Sequence, residues 1–253
     1  MAFETANGEI AINVPTRAHL QQCVQEKFAQ DQGFALATLN LDHLVKMNAD
    51  PAFYAAYQAQ DLVVADGRPI VWLSKLAGTP IELVPGSDLC LPLARWAALA
   101  GKSVAFLGST DAALKGAADT MRSAVPGLEI AAMIAPPFGF DPDGPEAAAA
   151  LKEIESSGAA LCFLALGAPK QERLAARGRE LTPGIGYASI GAGLDFLAGH
   201  QTRAPKWARA LAIEWFWRMM SNPKRLFKRY MLCFAILPAQ VTNALRQRRA
   251  ARR

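Results

Sequence analysis

The chain has 253 residues, of which 52% are hydrophobic and 19% are charged. A chain of this length and composition can bury a full hydrophobic core, so global disorder is excluded. No run reaches the ~18 apolar residues that a membrane-spanning helix needs. The N-terminus lacks the basic and apolar pattern of a signal peptide, so none is expected. Because the four cysteines are scattered, the sequence excludes a disulfide scaffold and a zinc ribbon, and the three scattered histidines disfavour a His-rich metal site. It predicts reduced, mostly buried thiols in the cytoplasm.

The charge is distributed unevenly along the chain. Residues 203–253 contain 13 Lys or Arg and one acid, Glu214, a formal charge of +12. Residues 1–202 contain 14 basic and 21 acidic residues, a formal charge of −7. A basic segment of this kind predicts an anionic partner such as phosphate, nucleic acid or lipid headgroups. A merely solvated tail would contain few aromatic residues, whereas this segment contains Trp207, Trp215, Phe216, Trp217, Phe227, Tyr230 and Phe234.

Short apolar runs alternate with longer helical patterns before residue 203. The predicted strands cover residues 10–14, 34–39, 62–65, 103–107, 128–133, 160–166 and 186–190. The predicted helices include residues 16–29, 70–77, 88–100, 111–123, 145–156 and 170–179. This alternation predicts an α/β fold of Rossmann-like type, with a largely parallel sheet and helices on both faces.

The strand patterns stop after Arg203. Helical patterns then cover residues 206–221, 223–237 and 239–249, separated by Asn222-Pro223 and by Pro238. We therefore predict two parts, an α/β core over residues 1–202 and a basic, amphipathic helical appendage over residues 203–253.

Polar or glycine-rich sequences follow several predicted strands at the end where open α/β sheets bind ligands. Thr38 and Asn40 present a hydroxyl and an amide suited to a sugar, although Asn40 is equally suited to capping the next helix. Asp66 comes directly after a buried strand and before Gly67. An aspartate at this position is either a general base or a turn residue.

Two further strand ends lead directly into helices. Gly108 allows a ligand to approach the backbone closely, and Ser109 with the free N–H groups of the helix start can bind phosphate. The alternative is that the glycine is required only by the fold. Gly167 precedes a helix that begins near Pro169, which places Lys170 and Gln171 beside the expected ligand crevice.

A fifth strand end carries Gly191, Gly193 and Asp195, a pattern that suits a ribose or base group. Neither this turn nor the one at Gly108 completes the glycine fingerprint of a dinucleotide-binding oxidoreductase, which disfavours that class. A non-enzymatic nucleic-acid-binding module would explain the basic segment but would leave the polar strand ends unexplained.

Within the appendage, clustered cations share a face with aromatic residues. Guanidinium groups in such a setting suit a diphosphate. The candidates are Arg203, Arg218, Arg225, Lys228 and Arg229.

Together these segments resemble the bacterial WecB/TagA/CpsF glycosyltransferase family (family 26). The resemblance runs in order from Thr38 to Tyr230 and rests on TLNLDHL, ADG, PGSDL, FLGS, LGAPKQE, GAGLDFLAG, RAP, EWFWR and PKRLFKRY. It implies an inverting sugar transfer that requires no metal or other cofactor. The donor would be a UDP-sugar and the acceptor a polyprenyl-diphosphate-linked sugar, in cell-wall or exopolysaccharide synthesis. N-acetylmannosamine is the most typical sugar, and glucose or glucuronic acid is the alternative.

The resemblance also implies roles for individual residues. Asp66 matches the proposed general base, and Thr38, Asn40, Gln171 and Asp195 match the substrate pocket. Arg218, Arg225 and Lys228 match cations that contact diphosphate, although the family often has arginine at Lys228, for which Arg229 is a possible substitute. The sequence Pro136-Pro137-Phe138-Gly139-Phe140 departs from the family's Gly-Tyr-Phe pattern, which leaves sugar specificity open.

The resemblance further implies a cytoplasmic protein bound peripherally to the inner face of the cell membrane. The basic appendage would dock on the anionic surface, and we expect docking to close the active site. Its apolar face would meet the membrane, another copy of the chain in a homo-oligomer, or both in turn. No nucleic acid partner is expected.

Overall fold

A computed structural model describes residues 1–200, 219–220 and 223–252 of the chain. The strands in this part are β1 (Ala2–Thr5), β2 (Gly8–Ala11), β3 (Phe34–Leu39), β4 (Leu62–Ala65), β5 (Val104–Gly108), β6 (Ile130–Ile134), β7 (Leu161–Ala165) and β8 (Gly186–Ser189). The helices are α1 (Arg17–Ala29), α2 (Leu41–Ala49), α3 (Pro51–Gln58), α4 (Arg68–Ala77), α5 (Gly86–Leu99), α6 (Asp111–Ala124), α7 (Pro145–Ser156), α8 (Lys170–Leu181), α9 (Gly193–Leu197) and α10 (Pro223–Ala250).

Strands β3 to β8 form a six-stranded sheet in the order β4-β3-β8-β7-β5-β6. Every neighbouring pair is parallel, so all six carboxyl ends lie along one side of the sheet, which we call the carboxyl edge. Strands β1 and β2 form a separate antiparallel hairpin. The predicted α/β class with a Rossmann-like parallel sheet is confirmed.

The sheet is covered on both faces, which explains why its central strands are apolar throughout. Alternate side chains of one strand enter different clusters, since Phe34 and Leu36 pack with α1, α5 and α6. Ala35 packs on the opposite face with residues of α7 and α8. A third cluster joins β3 and β4 to the hairpin and to α2, α3, α4 and α10.

Helix α10 packs against α4 and α2 through Leu226, Cys233 and Ala244, which are buried. The predicted helix break at Pro238 is wrong, because α10 continues through this residue. A proline inside a helix removes one backbone hydrogen bond and crowds the preceding turn. Here Pro238 is exposed, and the buried residues on both sides of it hold the two halves of the helix against the core.

The N-terminal strand prediction is wrong in its bounds. Residues 10–14 were expected to form one strand, whereas β2 ends at Ala11 and pairs with β1 across a turn formed by Ala6 and Asn7, directly before Gly8. Gly8 has a φ of +136°, a conformation that favours glycine. The short helices α2 and α3 were not among the predicted elements, since Pro51 divides them into units too short to show a clear helical period.

Three of the four cysteines are buried, as predicted, and the fourth, Cys23, is partly exposed. Within the described residues, none of the helices has both the length and the apolar character needed to cross a membrane. The predicted domain boundary near residue 203 lies outside the described residues, as does nearly all of the predicted helix over 206–221.

Candidate active site

Asp66 and Asn40 meet at the carboxyl edge because β3 and β4 are neighbours. The register pairs Leu39 with Ala65, and the backbone N–H of Asp66 donates to the Leu39 carbonyl at 2.7 Å. Asn40 Nδ2 then donates to Asp66 Oδ2 at 3.3 Å. Gly67, with a φ of +91°, turns the chain directly into α4. The sequence places a half-buried carboxylate at the edge of the sheet and gives it a neutral hydrogen-bond donor.

Asn40 is also the N-cap of α2, which confirms its predicted capping role, whereas its contact with a sugar stays a prediction. Its Oδ1 accepts from the His43 backbone N–H at 3.0 Å. Its Nδ2 lies 3.3 Å from His43 Nε2, and His43 Nδ1 lies 3.0 Å from the Tyr57 hydroxyl. Burial lowers the pKa of His43 to about 3, so the ring is neutral. Sequence reasoning noticed His43 only as a letter in TLNLDHL and missed Tyr57.

Thr38 precedes the end of β3 and is buried, with 4% of its surface exposed. The register places it opposite Val64, one residue deeper in the sheet than the Leu39–Ala65 pair that leads to Asp66. It therefore lies beneath the edge on which Asn40 and Asp66 sit. Its contact with a sugar stays a prediction.

Gln171 ties together the ends of β7 and β8. Its Oε1 accepts from the backbone N–H of Gly167 at 3.2 Å and from that of Gly191 at 3.1 Å. Its Nε2 donates to Glu172 Oε1 at 2.8 Å. Gln171 is only 2% exposed, and its hydrogen bonds hold the ends of β7 and β8 together. Its contact with a ligand stays a prediction.

Glu172 is a buried carboxyl group that sequence reasoning did not single out. It is fully buried beneath the carboxyl edge, and burial raises its pKa to about 7. The hydrogen bond from Gln171 acts in the opposite direction but is the weaker effect. The signal in the sequence was the glutamate of LGAPKQE, on the buried side of the first turn of α8.

Ser109 and Asp195 bring two of the predicted strand ends together. The Ser109 hydroxyl donates to the Asp195 carboxylate, and the Ser109 backbone N–H donates to the Ala165 carbonyl at 3.0 Å. Gly108 is required by close packing, because a Cβ at this position would lie 2.4 Å from the Ala165 carbonyl oxygen. Gly193 begins the short helix that carries Asp195.

The cations predicted to bind substrate have different placements. Lys170 Nζ donates to the Phe140 carbonyl at 2.7 Å and so holds the loop before α7. Lys228 is exposed on α10, whereas Arg229, its possible substitute, pairs with Asp42 at 3.0 Å. Arg203, Arg218 and the side chain of Arg225 lie outside what the structure describes.

A surface cavity of about 420 Å³ opens beside α9. It lies between the first turn of α5 and α9, and sequence reasoning missed it, although PGSDL marks the helix start. Its lining includes Arg17, Ser87, Asp88, Arg95, Gly193 and Phe196. Among the described residues, no group of three or more His, Cys, Asp or Glu side chains is placed to hold a metal ion.

These features define a Rossmann-like α/β protein with a polar site at the carboxyl edge of its sheet. Residues 6–253 match the family model described as the glycosyl transferase WecG/TagA/CpsF family. The chain belongs to this family and is a glycosyltransferase.

Two relatives carry the same name, N-acetylglucosaminyldiphosphoundecaprenol N-acetyl-beta-D-mannosaminyltransferase. The chain is 30% identical to the protein of Bacillus spizizenii strain W23 over 223 residues, which cover 88% of this chain and 82% of the relative. It is 25% identical to the protein of Bacillus subtilis strain 168 over 226 residues, which cover 89% and 86%.

Proposed function

We propose that this glycosyltransferase moves a sugar from a UDP-sugar to a polyprenyl-diphosphate-linked sugar, with inversion and without a required metal ion. The names of the two relatives support a polyprenyl-diphosphate-linked N-acetylglucosamine as acceptor and N-acetylmannosamine as the transferred sugar. The observation that carries the proposal is the placement of Asp66, a half-buried carboxylate at the carboxyl edge beside the amide of Asn40.

Asp66 is the general base in this reaction. It takes the proton of the acceptor hydroxyl while that oxygen attacks the anomeric carbon of the donor. The bond from the anomeric carbon to the diphosphate breaks in the same displacement, and UDP leaves with the bonding electron pair. Attack from the face opposite the leaving group inverts the anomeric centre.

The leaving diphosphate requires positive charge and N–H donors. The turn at Gly108 and Ser109 and the cavity beside α9 provide places for the donor nucleotide, with Arg17 and Arg95 in the cavity wall. The first turn of α5 adds the favourable end of a helix dipole. Arg203, Arg218, Arg225 and Lys228 of the appendage complete the set, and such fixed cations stabilise developing charge without a metal.

We also propose that α10 docks on the anionic inner surface of the cell membrane. Its exposed side carries an apolar stripe at helical spacing, opposite the face that packs on the core. The stripe contains Phe227, Met231, Phe234, Val241 and Leu245. Lys228 lies beside it, and each basic side chain near an anionic leaflet contributes about 1 kcal/mol.

The docking proposal is tested by co-sedimentation with vesicles that contain anionic lipid. Replacing Phe227 and Phe234 by serine should abolish most binding, whereas the same replacement at Leu99, an 80% exposed residue of α5, should have no effect. Equal binding of all the proteins would contradict membrane docking. Loss of a dimer in sedimentation velocity, with vesicle binding unchanged, would assign the stripe to a second copy of the chain.

The transfer reaction is tested with a synthetic polyprenyl-diphosphate-N-acetylglucosamine acceptor and three UDP donors, those of N-acetylmannosamine, glucose and glucuronic acid. We expect transfer from one donor, unaffected by EDTA, and a fall of at least ~10²-fold for Asp66→Asn. Asp119→Asn, an exposed aspartate of α6, is the matched control. Full activity of Asp66→Asn would remove this residue from the mechanism, and no transfer from any donor would contradict the acceptor.

The loop at residues 136–140 bears on the choice of donor sugar. Residues 136–140 depart from the family pattern, and Phe138 within them is fully exposed. Lys170 fixes the end of this loop through the Phe140 carbonyl. UDP-glucose and UDP-glucuronic acid are therefore tested beside UDP-N-acetylmannosamine.

A further inference from the structure

We propose that His43 is a positioning residue, whose ring fixes the Asn40 amide in the orientation that presents an N–H to Asp66. This inference rests on the proposed function, in which Asp66 is the general base. It concerns a side chain that contacts Asn40, which in turn contacts Asp66.

The hydrogen bonds of Asn40 define a single amide orientation. Oδ1 accepts from the His43 backbone N–H at 3.0 Å, while Nδ2 lies 3.3 Å from Asp66 Oδ2 and 3.3 Å from His43 Nε2. An amide nitrogen carries two hydrogens and accepts none, so both Nδ2 contacts are donations. His43 Nε2 is therefore the acceptor, and the ring proton is on Nδ1, facing Tyr57.

A flipped Asn40 amide would meet repulsion at Asp66 and at the His43 backbone N–H. Its oxygen would face the carboxylate of Asp66, and its nitrogen would face the His43 backbone N–H that now donates to Oδ1. The cap of α2 alone specifies where Oδ1 lies, and the His43 acceptor adds an independent constraint on Nδ2. Together they hold one hydrogen of Nδ2 on Asp66.

The His43 ring is itself held in place. It is 5% exposed and makes edge contacts with the rings of Phe53 and Tyr57, whose centroids are 5.8 and 5.7 Å away. Tyr57 is 1% exposed, and its hydroxyl lies 3.0 Å from Nδ1. Burial keeps the ring neutral, which preserves the lone pair that Asn40 requires.

Two substitutions at His43 separate positioning from stability. A glutamine amide reaches the position of Nε2 and can accept from Asn40, whereas an asparagine amide reaches only the position of Nδ1 and keeps the contact with Tyr57. We expect His43→Asn to lower kcat by about 10–10²-fold with an unchanged KM for the donor, because misplacement of a catalytic group by ~1 Å costs this much. His43→Gln should stay within about 3-fold of the unmodified chain.

Thr182→Val is the matched control, since Thr182 is fully buried and bonds Tyr187 at the opposite end of the sheet. It should lower the thermal midpoint without lowering kcat. If His43→Asn keeps the unmodified kcat while Asp66→Asn is inactive, the positioning proposal is overturned and the proposed function stands. Full activity of Asp66→Asn overturns both.

A second measurement does not depend on activity. The ¹⁵N chemical shifts of the His43 ring in the intact protein should show a protonated Nδ1 and an unprotonated Nε2 from pH 5 to pH 8. A proton on Nε2 would overturn the proposal, because that nitrogen would then face the Asn40 amide as a second donor.

Discussion

The Ser109 hydroxyl donates a hydrogen bond to the Asp195 carboxylate, and this contact joins the end of β5 to α9. Ser109 has a φ of +55°, in the left-handed region that side-chain-bearing residues rarely adopt. The hydrogen bond and the backbone contact to Ala165 hold the strained turn in place. Backbone strain of this kind at the carboxyl edge fixes the direction in which the turn presents the hydroxyl and the backbone N–H of Ser109.

Substitutions at Ser109 should separate the strain from the hydrogen bond. Ser109→Ala loses the contact to Asp195 and keeps the left-handed strain, whereas Ser109→Gly loses the contact and relieves the strain. We expect Ser109→Ala to be less stable than Ser109→Gly by about 1 kcal/mol in urea unfolding. Equal stability of the two variants would show that the turn stores no strain.

Gly108 ends β5 and Gly167 follows β7, and replacement by alanine should destabilise the fold more at Gly108 than at Gly167. At Gly108 a Cβ would meet the Ala165 carbonyl oxygen at 2.4 Å, and φ is +123°. At Gly167 nothing lies within 4 Å, and φ is +71°. We expect Gly108→Ala to cost about 3 kcal/mol or more and Gly167→Ala about 1 kcal/mol, from unfolding midpoints. A smaller cost at Gly108 than at Gly167 would contradict the packing described at β7.

An ion pair anchors α10 to α2 and should contribute measurable stability. Arg229 Nε lies 3.0 Å from Asp42 Oδ1, and the Asp42 side chain is only 9% exposed. Arg246 and Glu4 form a looser pair at 3.8 Å, with both side chains largely exposed. We expect Arg229→Gln to cost about 1–2 kcal/mol and Arg246→Gln less than about 0.5 kcal/mol. If the two variants unfold at the same urea concentration, the ion pair of Arg229 and Asp42 contributes no more stability than the exposed pair.

Glu172 should make the stability depend on pH. Burial raises its pKa from the ordinary 4.5 to about 7, so the folded chain keeps a proton that the unfolded chain has lost. Stability from this group therefore falls as pH rises from about 4.5 to about 7 and is level above that range. We expect Glu172→Gln to gain on the order of 2 kcal/mol relative to the unmodified chain between pH 5 and pH 8.

The control for this comparison is Glu153→Gln, an exposed carboxyl of α7, which should not change the slope. Urea unfolding at several pH values measures both. A constant difference between the unmodified chain and Glu172→Gln across the range would show that Glu172 is ionised in the folded protein at every pH tested.

The arginines of the cavity beside α9 should act on donor binding. Arg95 lines this cavity, whereas Arg122 is an exposed cation in the last turn of α6. We expect Arg95→Ala to raise the KM for the UDP-sugar about 3–10-fold through a lost charge-assisted contact, and Arg122→Ala to leave it unchanged. An unchanged KM for Arg95→Ala would place the donor away from this cavity.

The core of the fold could be predicted because each buried strand is a short apolar run, and most of these runs are separated by a segment with helical periodicity. Residues 145–156 and 34–39 illustrate this, since their predicted bounds match α7 and β3. The hairpin and the continuous α10 were not predicted, since β1 depends on pairing with β2 and the course of α10 at Pro238 depends on packing.

The candidate site was predicted as a set of strand ends but not as a set of contacts. Asp66 and Asn40 were identified separately, and only the order of the strands shows that they touch. His43 gave no signal, because its role depends on the buried Tyr57, which lies on the next helix. Local sequence indicates which residues end a strand, whereas their partners depend on long-range topology.

The contacts between α10 and β1 have a consequence for synthesis of the chain. Gln240 and Gln247 donate to the main-chain carbonyls of Glu4 and Ala2, each at 2.6 Å. Strand β1 therefore has main-chain groups whose partners are translated 236 and 245 residues later. The hairpin of β1 and β2 acquires these partners only after the end of α10 emerges. A ribosome stalled before residue 240 would therefore hold a chain whose β1 strand is still available to pair with other chains.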